Sequence, residues 1–305
     1  MRPSSTAALL AVFVGLFGVL GYGAITSELT DAGVLTGAPA LILVQLLCIG
    51  VPPLLYYSAK PRHRPALRMN PIDAGTVALL SLSALVGTFA LDNLAAYWHA
   101  LLRSFGLVLR QDGAAPARTG EQLALLLLAV AFAPALFEEL LFRGFLLPSM
   151  EPFGSRWAVC VSGVLFALLH GRIEMLPTHI LLGVLLSYLV LRTDSVWSAV
   201  LYHMIHNTAI LAAAFFANVF PKLVPEWARN DVALLLPVTA ALLIAWGGLL
   251  YASLWYDDRR RKPTLPYAEP ERMPVLSAIL LASCIIVLLV AQFTALRGML
   301  PRTLL

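Results

Sequence analysis

The sequence predicts an all-α, multi-pass transmembrane helical bundle of about nine spans, with eight as the alternative and the N-terminus inside. Three observations carry this. Of the 305 residues 60% are hydrophobic and only 12% are charged, against ~25% charged in an ordinary soluble domain, and the mean hydropathy is +0.83. The apolar residues fall into runs near the ~20 needed to cross lipid. The charged residues collect in the short segments between those runs. A soluble core of this length cannot hide so much apolar surface, so the chain reads as one transmembrane domain over 1–305.

The runs are approximately 7–26, 38–57, 74–97, 122–149, 157–173, 176–192, 195–218, 232–255 and 274–296. The fifth and sixth are short, with Gly171 and Pro177 between them, so a tight hairpin or helices reaching into the loops are both open. The first follows Met1-Arg2-Pro3-Ser4 and has no convincing Ala-x-Ala site, which favours a retained signal-anchor over a cleaved leader. Segment 98–120 exceeds a turn. Trp98, Leu102, Phe105 and Leu109 recur at helical spacing, so an interfacial amphipathic helix and a plain loop are equally open.

With the N-terminus inside and strict alternation, the two densest basic clusters, 60–68 and 259–262, fall on the inner side, as the positive-inside rule favours. The net charge of +4 is loop charge that sets orientation, and no aromatic-plus-basic surface suited to nucleic acid is present. Cys48, Cys160 and Cys284 lie apart inside apolar runs and read as small buried hydrophobes. The short loops suggest a cell membrane, taken as a prokaryotic plasma membrane.

An ionisable group at the centre of a span costs ~2.5–3.5 kcal/mol on insertion scales, so such groups need a reason. Asp92 is one, in the third run. The concentrated exceptions lie on the fourth, fifth and seventh runs. The fourth reads Ala135-Leu136-Phe137-Glu138-Glu139-Leu140-Leu141-Phe142-Arg143. Glu139 and Arg143 stand at i,i+4 with Glu first, the favoured order for a helical ion pair. Glu138 projects about 100° away and has no evident local partner. A buried carboxylate left free can exchange a proton with water near neutrality. The fifth run carries Phe166 and His170 on one face; the seventh carries His203 and Asn207 on one face, with His206 beside it.

The helical rise puts Glu138 ~18 Å, His170 ~21 Å, His203 ~12 Å and Asn207 ~18 Å above the inner edge. Polar groups on three helices thus reach a similar depth. A lone histidine or a lone Glu–Arg pair is more often structural glue. Such groups gathered at a similar depth argue for a shared site.

These residues resemble a known pattern. Glu138-Glu139-x-x-x-Arg143, Phe166-x-x-x-His170 and His203-x-x-x-Asn207 look like the three motifs of the CAAX-protease and bacteriocin-processing family, the intramembrane glutamic endopeptidases related to the prenyl-protein endopeptidase Rce1. The resemblance covers roughly 120–215; the flanking helices, 1–97 and 232–296, match only in being apolar. It implies an intramembrane endopeptidase acting on a membrane-associated protein or peptide. Glu138 would activate a water, His170 would help hold it, and Asn207 with His203 would stabilise the oxyanion. Glu139 and Arg143 would form a supporting pair, alongside Phe166 and His206.

No cofactor is expected. Zinc on Glu138, His170 and His203 is the alternative, although the sequence holds no His-Glu-x-x-His motif. Other intramembrane protease types fit less well. Cys160-Val161-Ser162-Gly163 lacks the leading glycine of a serine-type loop, and Tyr256-Asp257 has no Gly-x-Gly-Asp partner. Outside proteolysis, a proton-coupled transporter and a non-catalytic immunity or interaction protein compete. No inverted repeat supports the former.

Overall fold

A chain segment in lipid must satisfy its own backbone groups, so each apolar run closes into a helix. The computed structural model describes residues 1–28, 33–109, 117–219, 235–260 and 271–300. Among these it is all-helical, and the only strand-like feature is an isolated bridge between Met69 and Ser195. The helices follow the nine runs in order: α1 (Ser5–Glu28), α2 (Gly37–Ala59), α3 (Ala74–Ser104), α4 (Gly120–Phe153), α5 (Ser155–Leu169), α6 (Leu176–Thr193), α7 (Val196–Val219), α8 (Leu235–Arg260) and α9 (Val275–Arg297). Seven are long and apolar enough to cross a membrane; the shorter apolar pieces are Ser5–Gly21 of α1 and Ser155–Leu169. The chain is a multi-pass integral membrane protein.

One segment differs from the sequence reading. Residues 98–104 do not form a separate interfacial helix. They extend α3, which runs 31 residues to Ser104 and ends at Gly106 in the left-handed region (φ +78°). The reason is local: Trp98 Nε1 donates to the Ile173 carbonyl at 2.9 Å and His99 Nε2 to the Glu174 carbonyl at 3.1 Å, tying this last stretch to the bundle. Residues 110–116 of the same segment, the start of run 232–255 and positions 261–262 of the second basic cluster lie outside the described residues.

The alternation of the loops is visible in their contacts. At one end Arg68 grips Glu151 with both terminal nitrogens (2.5 and 2.9 Å) and Asp194 with Nε (2.9 Å). Arg2 approaches Glu151 at 3.4 Å, and the Glu271 amide donates to the Pro152 carbonyl. Burial opposes the charge on Arg68, yet the two carboxylates outweigh it and hold its guanidinium above the usual value. At the other end the 172–174 turn meets α3, and the Val108 amide donates to the Met299 carbonyl. Loops assigned to one side by alternation therefore meet only others of that side in these contacts.

The contact that positions the site most directly is the crossing of α5 and α6. A Cβ on Gly163 would stand 2.7 Å from the Val184 amide nitrogen, and one on Gly183 would stand 2.7 Å from the Gly163 carbonyl oxygen. Small residues here let two backbones touch, as in close-packed membrane helices. Alanine at either position should push the helices apart and destabilise the purified full chain by ~1–3 kcal/mol. Gly247→Ala, where a Cβ meets nothing within 4 Å, should be near neutral. Thermal unfolding in detergent micelles measures the difference.

Candidate active site

Among the described residues Arg143 is the largest side chain with no exposure at all. Its charge is met on three sides. Nη1 donates to Glu139 Oε1 at 3.0 Å, and Nη2 donates to the Gly183 carbonyl at 2.8 Å across the α5–α6 crossing. Its guanidinium carbon lies 4.5 Å from the centre of the Phe166 ring, within cation–π range. Phe166, also fully buried, stands edge-on to both His170 (4.8 Å) and His203 (5.7 Å). His203 Nδ1 donates to the same Glu139 oxygen at 2.8 Å. The sequence-predicted i,i+4 pair is thus present, and it recruits a histidine from α7.

Glu138, one residue earlier, faces elsewhere and is 5% exposed. Its Oε1 accepts from Gln45 Nε2 on α2 at 2.8 Å. Its Oε2 is buried and accepts from no donor among the described residues. The closest titratable partner is His170, whose Nε2 lies 4.0 Å from that oxygen. His170 Nδ1 sits 2.8 Å from the Phe166 carbonyl. A carbonyl only accepts, so Nδ1 carries the proton and the neutral ring presents Nε2 as a lone pair. His170 caps the end of α5. That helix is ~22 Å long, shorter than a ~30 Å hydrocarbon core.

Three wide π-helical turns surround the site, at Gln45–Gly50, Leu127–Phe132 and Phe142–Leu146. Each delivers a group to it. The first carries Gln45. The second exposes the Val130 carbonyl, which accepts from Asn207 Nδ2 at 2.8 Å. The third carries Arg143, and its Phe142 carbonyl accepts from Ser162 Oγ at 3.2 Å. Such turns recur at functional sites because they rotate side chains out of α register.

The placements refine the sequence reading in two respects. Asn207 has one amide hydrogen engaged with α4 and a second with no acceptor among the described residues. His206 turns toward α3 instead of toward Glu138. Its Nδ1 donates to Thr88 Oγ1 at 3.0 Å, while that hydroxyl donates to the Ala84 carbonyl. Two residues escaped the sequence reading. Gln45 is a polar amide inside run 38–57, and its composition alone could have flagged it. His179, at the start of α6, lies against His170 with ring centres 4.4 Å apart, and its Nδ1 donates to the Met175 carbonyl at 2.9 Å. No local spacing links it to His170.

Ser162 is fully buried with its hydroxyl proton on the Phe142 carbonyl, so it is engaged as an interhelical tie. Among the described residues no three His, Cys, Asp or Glu side chains converge closely enough to hold a metal ion.

Residues 120–209 match the family model described as Type II CAAX prenyl endopeptidase Rce1-like. The matched segment spans all three motifs, from α4 to the middle of α7, and agrees with the resemblance read from them. No curated protein and no solved structure matches the chain.

The two adjacent glutamates should behave differently when neutralised. Glu139→Gln removes the countercharge of a fully buried guanidinium, and breaking such a pair costs ~3–5 kcal/mol. Glu138→Gln can still accept from Gln45 and should change stability by less than ~1 kcal/mol. Thermal unfolding of the two purified variants beside the wild type tests this; equal losses would contradict the division of roles.

Proposed function

With an Rce1-like segment at 120–209 as the premise, we propose that the chain is an intramembrane endopeptidase. It hydrolyses a peptide bond of a membrane-associated protein or peptide with a water activated by Glu138. The observation that carries this is the 4.0 Å spacing between Glu138 Oε2 and His170 Nε2, both free acceptors. That is too long for a direct hydrogen bond. It suits one bridging water that gives a proton to each, since two ordinary bonds at a water's angle span ~4–4.5 Å.

A water held by two acceptors has its lone pairs turned away from them, toward an incoming carbonyl carbon. As its oxygen bonds to that carbon, Glu138 Oε2 takes the proton. The carbonyl oxygen becomes an oxyanion, and the amide hydrogen of Asn207 not engaged with Val130 donates to it; His203, whose Nδ1 proton is on Glu139, adds an Nε2 donor in its doubly protonated form, with Glu139 as countercharge. One such donor is worth ~2.7–4 kcal/mol in a comparable site. When the tetrahedral adduct collapses, the carbon–nitrogen bond breaks and the proton on Glu138 passes to the leaving amine. Glu139 and Arg143 take no proton in this scheme; they hold His203 and Phe166 in place.

The family's printed name points to prenylated C-terminal peptides as one substrate class. Other membrane-associated peptides fit the same chemistry. The reading requires no metal, and a chelator should leave cleavage unchanged.

Glu138→Gln should lower cleavage by at least ~10²–10⁴-fold, the contribution of a positioned base, with the protein still folded and inserted. Comparing protein termini in membranes from cells that carry the wild-type chain or this variant measures it. Termini present only with wild type would name the substrate; identical sets of termini would end the proposal.

A further inference from the structure

We propose that Gln45 is a positioning residue for Glu138: its side-chain amide fixes one carboxylate oxygen so that the other alone meets the water. The proposal rests on Glu138 being the general base. Gln45 lies outside the family-matched segment 120–209, on a different helix. The motif helices α4, α5 and α7 thus leave the base without a donor, and α2 completes the site.

Several observations converge on this residue. Gln45 is 5% exposed, and its Nε2 is the donor on Glu138 Oε1 at 2.8 Å. Among the described residues no second donor reaches Glu138, because Oε2 is unpartnered. The backbone that carries Gln45 is fixed against the same helix. The wide turn Gln45–Gly50 begins at this residue and ends at Gly50, where an added Cβ would stand 2.5 Å from the Phe137 ring. Phe137 directly precedes Glu138. Both ends of one turn therefore touch consecutive residues of α4, and the amide has little freedom to drift.

A packing role explains less. Gln45 Oε1 is buried and accepts from no donor among the described residues. A methionine or leucine would fill the same volume in this apolar run without burying an unsatisfied oxygen. What the amide adds over them is the bond to Glu138. That bond also removes a choice. A carboxylate with two equivalent free oxygens can turn about its last bond and offer either one. With Oε1 held, Oε2 is kept on the side of His170 Nε2.

The test uses the purified full chain in detergent micelles and dicyclohexylcarbodiimide, which reacts with neutral carboxylic acids in apolar surroundings. Labelling of Glu138 is followed at neutral pH by mass spectrometry of its peptide, with Glu138→Gln as the blank. A donor held on a carboxylate favours its charged form and slows this reaction. Gln45→Met keeps the volume and removes the donor; Gln45→Asn keeps the amide but draws it back by one methylene. Both should label about tenfold faster than wild type, the factor carried by a hydrogen bond of ordinary strength to a charged group. Labelling of Glu151 and Glu174, remote from Gln45 in the hydrogen-bond network, should not change. The same variants should yield fewer of the wild-type-specific termini.

An unchanged labelling rate in both variants overturns the proposal, as does loss of the folded chain in both, which would make Gln45 a packing residue. If Glu138→Gln instead leaves the termini unaltered, the hydrolase reading falls, while the labelling comparison still decides whether Gln45 holds Glu138.

Discussion

The arrangement hangs on a guanidinium that water cannot reach. Removing an ion of this size from water costs several kcal/mol even after relaxation, so Arg143 must be compensated wherever α4 places it. Its partners come from different parts of the chain: Glu139 from its own helix, the Gly183 carbonyl from α6, and the Phe166 face from α5. None can move without leaving charge exposed to an apolar interior. The glycine crossing serves this requirement, because only closely approaching backbones bring the Gly183 carbonyl within 2.8 Å of the guanidinium. Phe166 then fixes the rings of His170 and His203 by edge contact. A structural ion pair thereby sets the geometry of His203, which Glu139 bonds directly, and of His170, which it reaches only through Phe166.

The wide turns are the second constraint. A regular α-helix directs every carbonyl along its own axis and leaves few acceptors for neighbours. On α4 two π turns interrupt that pattern on either side of the Ala133–Leu141 stretch that carries both glutamates. Their carbonyls at Val130 and Phe142 are reached by Asn207 of α7 and Ser162 of α5. The segment bearing the carboxylates is therefore clamped above and below by side chains from the helices that supply the other polar groups. The turn on α2 adds the amide that meets Glu138.

What was legible in the sequence follows from how local each signal is. Helix number and order came from hydropathy, which each run carries alone. The Glu139–Arg143 pair follows from i,i+4 spacing, and the lack of a partner for Glu138 on its own helix from the ~100° turn per residue. The depth argument brought Glu138 and His170 together, and they do meet. Depth says nothing of rotation about the helix axis, however. His206 shares the depth of His203, yet it faces Thr88 of α3. Gln45 stands out in the sequence as a polar amide, but what it bonds is hidden for a related reason. A single amide in an apolar run has no periodicity, and its partner lies 93 positions away. His179 reaches His170 only because the chain reverses through Gly171, in the left-handed region at φ +61°. The end of α3 was obscured by its amphipathic pattern, which suits a surface helix as well as one pinned through Trp98.

Adjacent carboxylates in one buried site would ordinarily repel, and their separation into two tasks resolves this. Glu139 Oε1 accepts from both Arg143 and His203, so its charge is compensated whatever the state of its neighbour. Glu138 has one neutral donor and one open oxygen. In the proposed reaction the charge that appears and disappears is confined to the residue with the fewest commitments, and the permanent countercharge stays with the residue that has the most. Access follows the same division. Around the open oxygen the His170 side chain is 26% exposed against 7% for Glu138, so the imidazole is the more accessible of the two. The proton on Nδ1, held by the Phe166 carbonyl, leaves Nε2 able only to accept from that water. In the proposed reaction a water so oriented gives one proton to Glu138, while its bond to Nε2 sets the direction of attack.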